Sequence, residues 1–112
     1  MRTFLFTDLR DYTLFIETRG DQAATKMLRA ARRIVRDAVA RHRGAEIKTE
    51  GDSFYVVFRS PSSAIRCAVD IQRAAAAHTG RHPDLAVRMG IGINTGEAVP
   101  HDQRRLLRQR LA

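Results

Sequence analysis

The spacing of apolar residues changes several times along this chain, and that change is the feature that most restricts the possible folds. Runs rich in aromatic and β-branched residues predict strands at 3–7, 46–49, 53–58 and 86–93. Apolar residues at three- and four-residue steps predict helices at about 11–18, from 21 until Gly44, and from 60 to about 78. The order strand, helices, strand, strand, helix, strand is the βαββαβ order of ferredoxin-like folds. We therefore predict an α+β domain with an antiparallel sheet and helices on one face.

The size and composition of the chain favour one soluble domain. It has 112 residues, of which 44% are hydrophobic and 29% charged, values typical of a globular protein. No apolar run reaches the length of a membrane span. The single cysteine, Cys67, excludes an internal disulfide and favours a reducing, cytoplasmic location. We expect Cys67 to be a buried helix residue.

The positive charge leaves more than one interpretation open. The net charge is +8, and residues 19–43 carry eight basic and two acidic side chains. A positive field attracts nucleic acid, acidic membrane surfaces or a polyphosphate ligand. The plainer interpretation is a set of solvated arginine-rich faces. We also expect the four histidines to be surface residues, since they show no metal-ligand spacing; they are His42, His78, His82 and His101.

The strand order predicts that two carboxylates lie at the same edge of the sheet. Asp8 lies at the end of the first predicted strand and Asp52 just before the third. These strands are antiparallel central neighbours in a ferredoxin-like sheet, so both carboxylates should reach the same edge. Nearby carboxylates repel unless a cation lies between them, and Mg²⁺ takes ligands from one or two carboxylates plus substrate phosphates. An ordinary turn-and-cap interpretation stays open, in which Asp8 and Asp11 cap a helix and Asp52 belongs to a turn.

The loop after Asp8 strengthens the metal interpretation. Residues 9–13 lead directly into the first predicted helix. The backbone N–H groups at a helix start have no partner within the helix, so they form a ready anion site. A strand, an acid and a helix N-terminus together suit a metal-bound polyphosphate.

At this point the motifs become recognisable. The segment Phe6-Thr7-Asp8-Leu9-Arg10-Asp11-Tyr12-Thr13 resembles the first metal motif of class III adenylate/guanylate cyclases. The segment Lys48-Thr49-Glu50-Gly51-Asp52-Ser53-Phe54 resembles their second motif. The stretches 64–72 and 87–97 are also similar to that family, and the resemblance covers about residues 3–99. We interpret residues 1–112 as a single, incomplete nucleotidyl cyclase domain with a divergent tail at 100–112.

The resemblance implies an enzyme, an adenylate cyclase that converts ATP to cyclic AMP and pyrophosphate for cyclic nucleotide signalling, with GTP as the other candidate substrate. The domain would act as a head-to-tail homodimer, or as a heterodimer with another cyclase domain, with neither nucleic acid nor a membrane segment involved. Asp8 and Asp52, with the Leu9 carbonyl, would hold two Mg²⁺ or Mn²⁺ ions. Lys48 would face the purine from the opposite subunit. The triphosphate would lie against the backbone of Leu9, Arg10, Asp11, Tyr12 and Thr13.

The sequence departs from the family in two places. Asp11 stands where many members have glycine. The tail 100–112 contains neither the asparagine that orients the ribose nor an arginine that can be assigned to the transition state. Loss of such an arginine costs orders of magnitude in phosphoryl transfer. We therefore expect the isolated chain to be a weak or inactive cyclase that still binds metal–ATP, and to be a fragment, a truncated product or a degenerate cyclase.

Three other interpretations remain. A non-catalytic cyclase-homology module would serve dimerisation or nucleotide sensing. An RNA-binding module would stack bases on Phe54, Tyr55 and Phe58, although strand alternation places Phe54 and Phe58 on one face and Tyr55 on the other. A diguanylate cyclase would need a glycine pair that the turn at Gly51 lacks.

Overall fold

The alternating residues of the strands build one antiparallel sheet. The computed structural model describes residues 2–96. The strands are β1 (Arg2–Leu9), β2 (Ala45–Glu50), β3 (Ser53–Phe58) and β4 (Met89–Gly96). The helices are α1 (Tyr12–Arg19), α2 (Asp21–Arg41) and α3 (Pro61–Arg81), with a short 3-10 turn at Pro83–Leu85. The strand order is β2-β3-β1-β4, which confirms the predicted ferredoxin-like α+β fold and the central position of β1 and β3.

The two faces of the sheet differ in burial. On one face Leu5 of β1 and Phe54, Val56 and Phe58 of β3 are at most 2% exposed, and they pack in the core with α2 and α3. On the other face Phe6 and Tyr55 are half-buried, with ring centroids 5.2 Å apart. We call this second side the open face. The prediction that Phe54 and Phe58 belong to the core is confirmed, and the RNA-stacking interpretation is wrong for both rings.

The helices bury most of the apolar stripes that their spacing predicted, but Ile65 and Val69, which the spacing assigns to the stripe of α3, are 55% and 42% exposed. The buried residues of α2 are Ala24, Met27, Ala31, Val35, Ala38 and Val39. Those of α3 are Ala64, Cys67, Ile71 and Ala75. The Ser60 hydroxyl accepts a hydrogen bond from the Ser63 N–H at 3.2 Å and so caps α3 as its Ser-Pro start predicts. Among residues 2–96, none of the helices combines the length and the hydropathy that a membrane span requires.

The boundaries of α3 and β4 differ most from the sequence prediction. The loop predicted from 79 is helical to Arg81, because the Thr79 hydroxyl both donates to and accepts from the backbone of Val87 at 3.3 and 3.0 Å. The strand predicted at 86–93 begins at Met89 and includes the predicted turn 94–96. This C-terminal extension occurs because Gly96 pairs with Arg2 of the neighbouring β1.

Two of the histidines are not the plain surface residues that the sequence predicted. The His42 ring lies 2.5 Å from the Asp70 carboxylate and joins the end of α2 to α3. The hydrogen bond from His42 is the main reason why the pKa of Asp70 is lowered. The His78 ring donates from Nε2 to the Leu85 carbonyl at 3.0 Å. His82 is exposed, and His101 lies outside the described residues.

A substitution at Gly44 tests the packing between the end of α2 and β3. A Cβ atom at Gly44 would lie 2.7 Å from the Phe58 ring and 3.0 Å from Val56. We expect Gly44→Ala to lower the free energy of unfolding by about 1–3 kcal/mol, because overpacking displaces core side chains. The control is Gly80→Ala, whose Cβ meets nothing within 4 Å and which should stabilise α3 slightly. Chemical denaturation measures both, and equal stabilities would contradict the packing described.

The buried Cys67 thiol supplies a second test. Burial, with a smaller contribution from Asp70, raises its pKa to about 11. At pH 8 only about one thiol in a thousand is then ionised in the folded protein. We expect Ellman's reagent to react slowly with the native chain and rapidly with the same chain in denaturant. Rapid reaction of the native chain would show that solvent reaches Cys67.

Candidate functional site

The two aspartates predicted to share one edge of the sheet both lie where β1 ends. Antiparallel pairing of β1 with β3 places Thr7 opposite Phe54, so that the turn before β3 lies beside Asp8 and Leu9. One Asp52 carboxylate oxygen accepts a hydrogen bond from the Leu9 backbone N–H at 3.1 Å. Asp52 is therefore attached to the residue that follows Asp8. Both aspartates are partly buried, and together they form what we call the carboxylate pair.

The turn that carries Asp52 needs its glycine. Glu50 pairs with Ser53, which leaves Gly51 and Asp52 as the two residues of a tight hairpin turn. Gly51 has a φ of 59°, a left-handed conformation that glycine adopts without steric cost. Glycine thus allows a turn this tight, which places Asp52 directly before β3.

On the other side of Asp8, a glycine of β4 makes room for the site. Gly90 pairs with Asp8 across the sheet. A Cβ atom at Gly90 would lie 2.5 Å from Asp8 Oδ1 and 2.8 Å from Arg10 Nε. The side chains of Asp8 and Arg10 therefore both lie against the bare backbone of Gly90, and the position does not tolerate a side chain while they stay there.

The loop from Arg10 to Thr13 joins the carboxylate pair to α1. The Arg10 N–H donates to the Arg88 carbonyl at 2.8 Å, and the Phe15 N–H donates to the Asp11 carbonyl at 2.9 Å. Asp11 has a φ of 59°, which aspartate tolerates better than most residues, and its side chain makes no capping hydrogen bond. The interpretation of Asp11 as a side-chain helix cap is therefore wrong. Asp8 is a strand residue, so it is not a cap either.

Lys48 lies on β2, two strands away from Asp8 in the order β2-β3-β1. It pairs with Tyr55, which in turn pairs with Phe6, so Lys48 belongs to the open face. Its ammonium group lies 3.3 Å from the Glu50 carboxylate. The structure therefore separates Lys48 from the carboxylate pair, whereas it brings Leu9, Arg10 and the start of α1 next to that pair.

The sequence interpretation missed a group of α2 side chains that hold the hairpin. Arg32 Nη2 donates to the Gly51 carbonyl at 2.8 Å. Arg36 binds the Glu46 carboxylate through two nitrogens at 3.1 and 3.4 Å, and Glu46 also accepts a hydrogen bond from Thr49. The bonds from Arg36 and Thr49 hold the pKa of Glu46 below its ordinary value. The arginine-rich face of α2 is thus only partly solvated, and no spacing rule distinguishes these two arginines from their neighbours.

Comparison with known proteins identifies the family. The family model of the adenylate and guanylate cyclase catalytic domain matches residues 2–102, so this chain belongs to that family. The chain is 29% identical over 109 residues to adenylate cyclase 1 of Rhizobium meliloti, covering 87% of this chain and 16% of the relative. It is 30% identical over 103 residues to an uncharacterized protein of Mycobacterium tuberculosis, covering 90% of this chain and 33% of that protein. The chain therefore spans a third or less of these relatives.

Solved structures agree with the fold. The guanylyl cyclase Cya2 superposes with a TM-score of 0.73 at 30% identity, over 85% of this chain and 53% of that one. The adenylyl cyclase CyaB from P. aeruginosa superposes with a TM-score of 0.76 at 20% identity, over 85% of this chain and 55% of that one. The second likeness supports the fold alone. The chain spans about half the length of each solved chain. The family match disfavours the interpretation as a diguanylate cyclase.

A pair of glycine substitutions tests the space beside Asp8. We expect Gly90→Ala to displace the side chains of Asp8 and Arg10, because the new Cβ would overlap both. Gly92→Ala, two residues along the same strand, is the control, since its Cβ meets nothing within 4 Å. NMR carboxyl and guanidinium shifts report the displacement. Unchanged Asp8 and Arg10 signals in Gly90→Ala would contradict the contact.

Proposed function

We propose that this chain contributes the metal- and triphosphate-binding half of a nucleotidyl cyclase that converts ATP to cyclic AMP and pyrophosphate. The observation that carries the proposal is the carboxylate pair, in which the Leu9 N–H bonds one Asp52 oxygen next to Asp8. Two carboxylates at the same edge of a sheet repel each other unless a cation or a proton compensates them. Their position beside a helix start supports a cation that arrives with a phosphate ligand.

The residues present fit Mg²⁺ or Mn²⁺. Carboxylates and backbone carbonyls are hard oxygen donors, which suit these ions. Among residues 2–96 no group of three or more His, Cys, Asp or Glu side chains could hold a metal. One or two carboxylates are enough for such an ion when substrate phosphates complete the coordination. Asp8 and Asp52, with the Leu9 carbonyl, are the residues that would hold the ions.

In the proposed reaction the ribose 3′ oxygen attacks the α-phosphorus, its proton is lost, and pyrophosphate leaves with the electron pair of the broken bond. Two bound ions would favour ionisation of the 3′ hydroxyl and offset charge on the α-phosphate. The chain's own residues position the nucleotide. The N–H groups of Leu9 and Arg10 are already bonded to Asp52 and to the Arg88 carbonyl, so within the loop 9–13 the N–H groups of residues 11–13, at the start of α1, would contact the triphosphate. Arg10, next to Asp8, supplies a positive side chain. Such positioning and charge stabilisation are most of what phosphoryl transfer requires.

The base would be contacted by a second subunit. Lys48 lies on the open face and away from the carboxylate pair of its own chain. This separation supports a dimer, homodimeric or with another cyclase domain, in which Lys48 of one subunit faces the purine bound by the other. A lysine ammonium donates hydrogen bonds, and adenine N1 can accept one whereas guanine N1 carries a hydrogen, which supports ATP over GTP. The proposed role of the product, cyclic AMP, is cyclic nucleotide signalling in the cytoplasm.

Turnover by the isolated chain is proposed to be weak. The ribose-orienting asparagine and the transition-state arginine of the family have no counterpart in the tail 100–112, which lies outside the described residues. The absence of these two groups from the tail supports weak turnover by residues 1–112 alone. Strong binding of metal–ATP with little product would agree with it.

Removing either carboxylate tests the proposed function. We expect the wild-type chain to bind Mn²⁺ together with a non-hydrolysable ATP analogue, and Asp8→Asn and Asp52→Asn each to weaken Mn²⁺ binding by at least about tenfold. Asp37→Asn, which alters an exposed aspartate of α2, is the control for net charge. Electron paramagnetic resonance measures free Mn²⁺, and a cyclic AMP assay runs in parallel. Mn²⁺ affinity that is the same in all four proteins would refute the proposal, and rapid cyclic AMP production by the isolated chain would refute the account of the tail.

A further inference from the structure

We propose that Arg32 is a positioning residue for this site: from α2 it holds the β2–β3 turn so that Asp52 stays against β1. The inference has two halves. The functional half, that Arg32 affects metal binding, rests on the proposed function. The geometric half is that Arg32 keeps Asp52 bonded to β1. This half concerns the protein alone and is tested without a metal.

Arg32 is bonded to the backbone immediately before Asp52. Its Nη2 donates to the Gly51 carbonyl at 2.8 Å. That carbonyl belongs to the peptide group that joins Gly51 to Asp52, so its direction sets the direction of the Asp52 backbone. Because Gly51 is the residue with the least steric restriction, the turn itself does little to fix this peptide group. A hydrogen bond from outside the hairpin is therefore an effective restraint.

On its far side, Asp52 is bonded to β1. Its Oδ2 accepts the Leu9 N–H at 3.1 Å. A short sequence of contacts thus runs from the Arg32 guanidinium through the Gly51–Asp52 peptide to Leu9, the residue next to Asp8. If the peptide rotates, the Asp52 carboxylate and the Leu9 N–H separate. Arg32 acts on the carboxylate pair without touching either carboxylate.

Arg32 differs from the neighbouring arginines of α2. Arg29 and Arg33 are exposed, whereas Arg32 is partly buried. Its Nε atom is buried and has no hydrogen-bond partner among the described residues. Burying a polar atom in this way costs free energy, which a purely solvated arginine would not incur. The cost is consistent with a side chain held in place by its bond to the turn.

A second arginine restrains the same hairpin at its strand. Arg36, one helical turn after Arg32, binds Glu46 at 3.1 Å, and its guanidinium carbon lies 5.3 Å from the centre of the Phe54 ring. Arg36 is about half exposed, at 52%, and it holds β2 rather than the turn. The residue that controls Asp52 is therefore Arg32, with Arg36 as support for the strand.

Amide hydrogen exchange of the metal-free, full-length chain tests the geometric half. The variants are Arg32→Met and its matched control Arg33→Met, which removes the same charge from the adjacent exposed position. We expect Arg32→Met to accelerate exchange of the Leu9 N–H by about tenfold, the scale of one charge-assisted hydrogen bond. The Arg10 N–H, which bonds Arg88 of β4 at 2.8 Å, should be unchanged and serves as the internal reference. Arg32→Lys, which keeps a donor, should restore much of the Leu9 protection.

Either of two results would overturn the inference. Equal Leu9 exchange in Arg32→Met and Arg33→Met would show that Arg32 does not restrain Asp52. Parallel acceleration of Leu9 and Arg10 would show general loosening of the sheet instead of positioning. If Arg32→Met does not fold, Arg32→Gln and Arg33→Gln replace the pair, with the same two results decisive.

Mn²⁺ binding with the ATP analogue tests the functional half. We expect Arg32→Met to weaken Mn²⁺ binding by about tenfold, in the range known for residues that orient metal ligands, while Arg33→Met stays near wild type. Equal affinities of the two variants would overturn the inference alone. A wild-type chain that binds no Mn²⁺ would overturn the proposed function and the metal consequence together, and the Leu9 exchange would still decide the geometry.

Discussion

The hydrogen bond from the Leu9 N–H to the Asp52 carboxylate is the contact on which the site depends. It joins the end of β1 to the β2–β3 turn at 3.1 Å and so places the Asp52 carboxylate beside the residue that follows Asp8. The central pairing of β1 and β3 brings the two segments close, but pairing alone does not orient a side chain in a turn. The left-handed Gly51 permits the tight turn, and the guanidinium of Arg32 supplies the missing restraint.

Much of the fold could be predicted from the sequence because two periodicities alternate clearly along it. The antiparallel pairing of β1 with β3, the core position of Phe54 and Phe58, and the location of Asp8 and Asp52 at one edge of the sheet all follow from strand order and alternation. The element boundaries near 80 and 94 did not follow. The end of α3 depends on the bonds between Thr79 and Val87, and the end of β4 depends on its pairing with β1. Neither partner is local in the sequence.

Some residues of the site could also be predicted from local sequence motifs, whereas others depend on contacts with distant parts of the chain. The carboxylates and the loop 9–13 have recognisable motifs, whereas Arg32 sits in a helix where arginines recur and nothing in their spacing singles it out. Its role appears only when the hairpin, 19 residues further on, is placed beside the helix. The left-handed backbone of Asp11 gives a physical reason for the glycine that many family members have there. Whether aspartate or glycine occupies the position, the backbone must tolerate the same turn.

The glycines of β4 have an effect that reaches beyond Asp8. Gly90, Gly92 and Gly96 pair with Asp8, Phe6 and Arg2, so they share the open side of the sheet with those residues. On the β3 side of β1, the ring of Phe6 packs instead against the ring of Tyr55. On the open face, side chains therefore project furthest from the sheet where β1 and β3 carry rings. They project least along β4, where the surface is mostly peptide backbone. A partner surface that docks on the open face therefore has to be complementary to a sloping surface. It approaches the main chain most closely along the glycines of β4, which lead to Asp8.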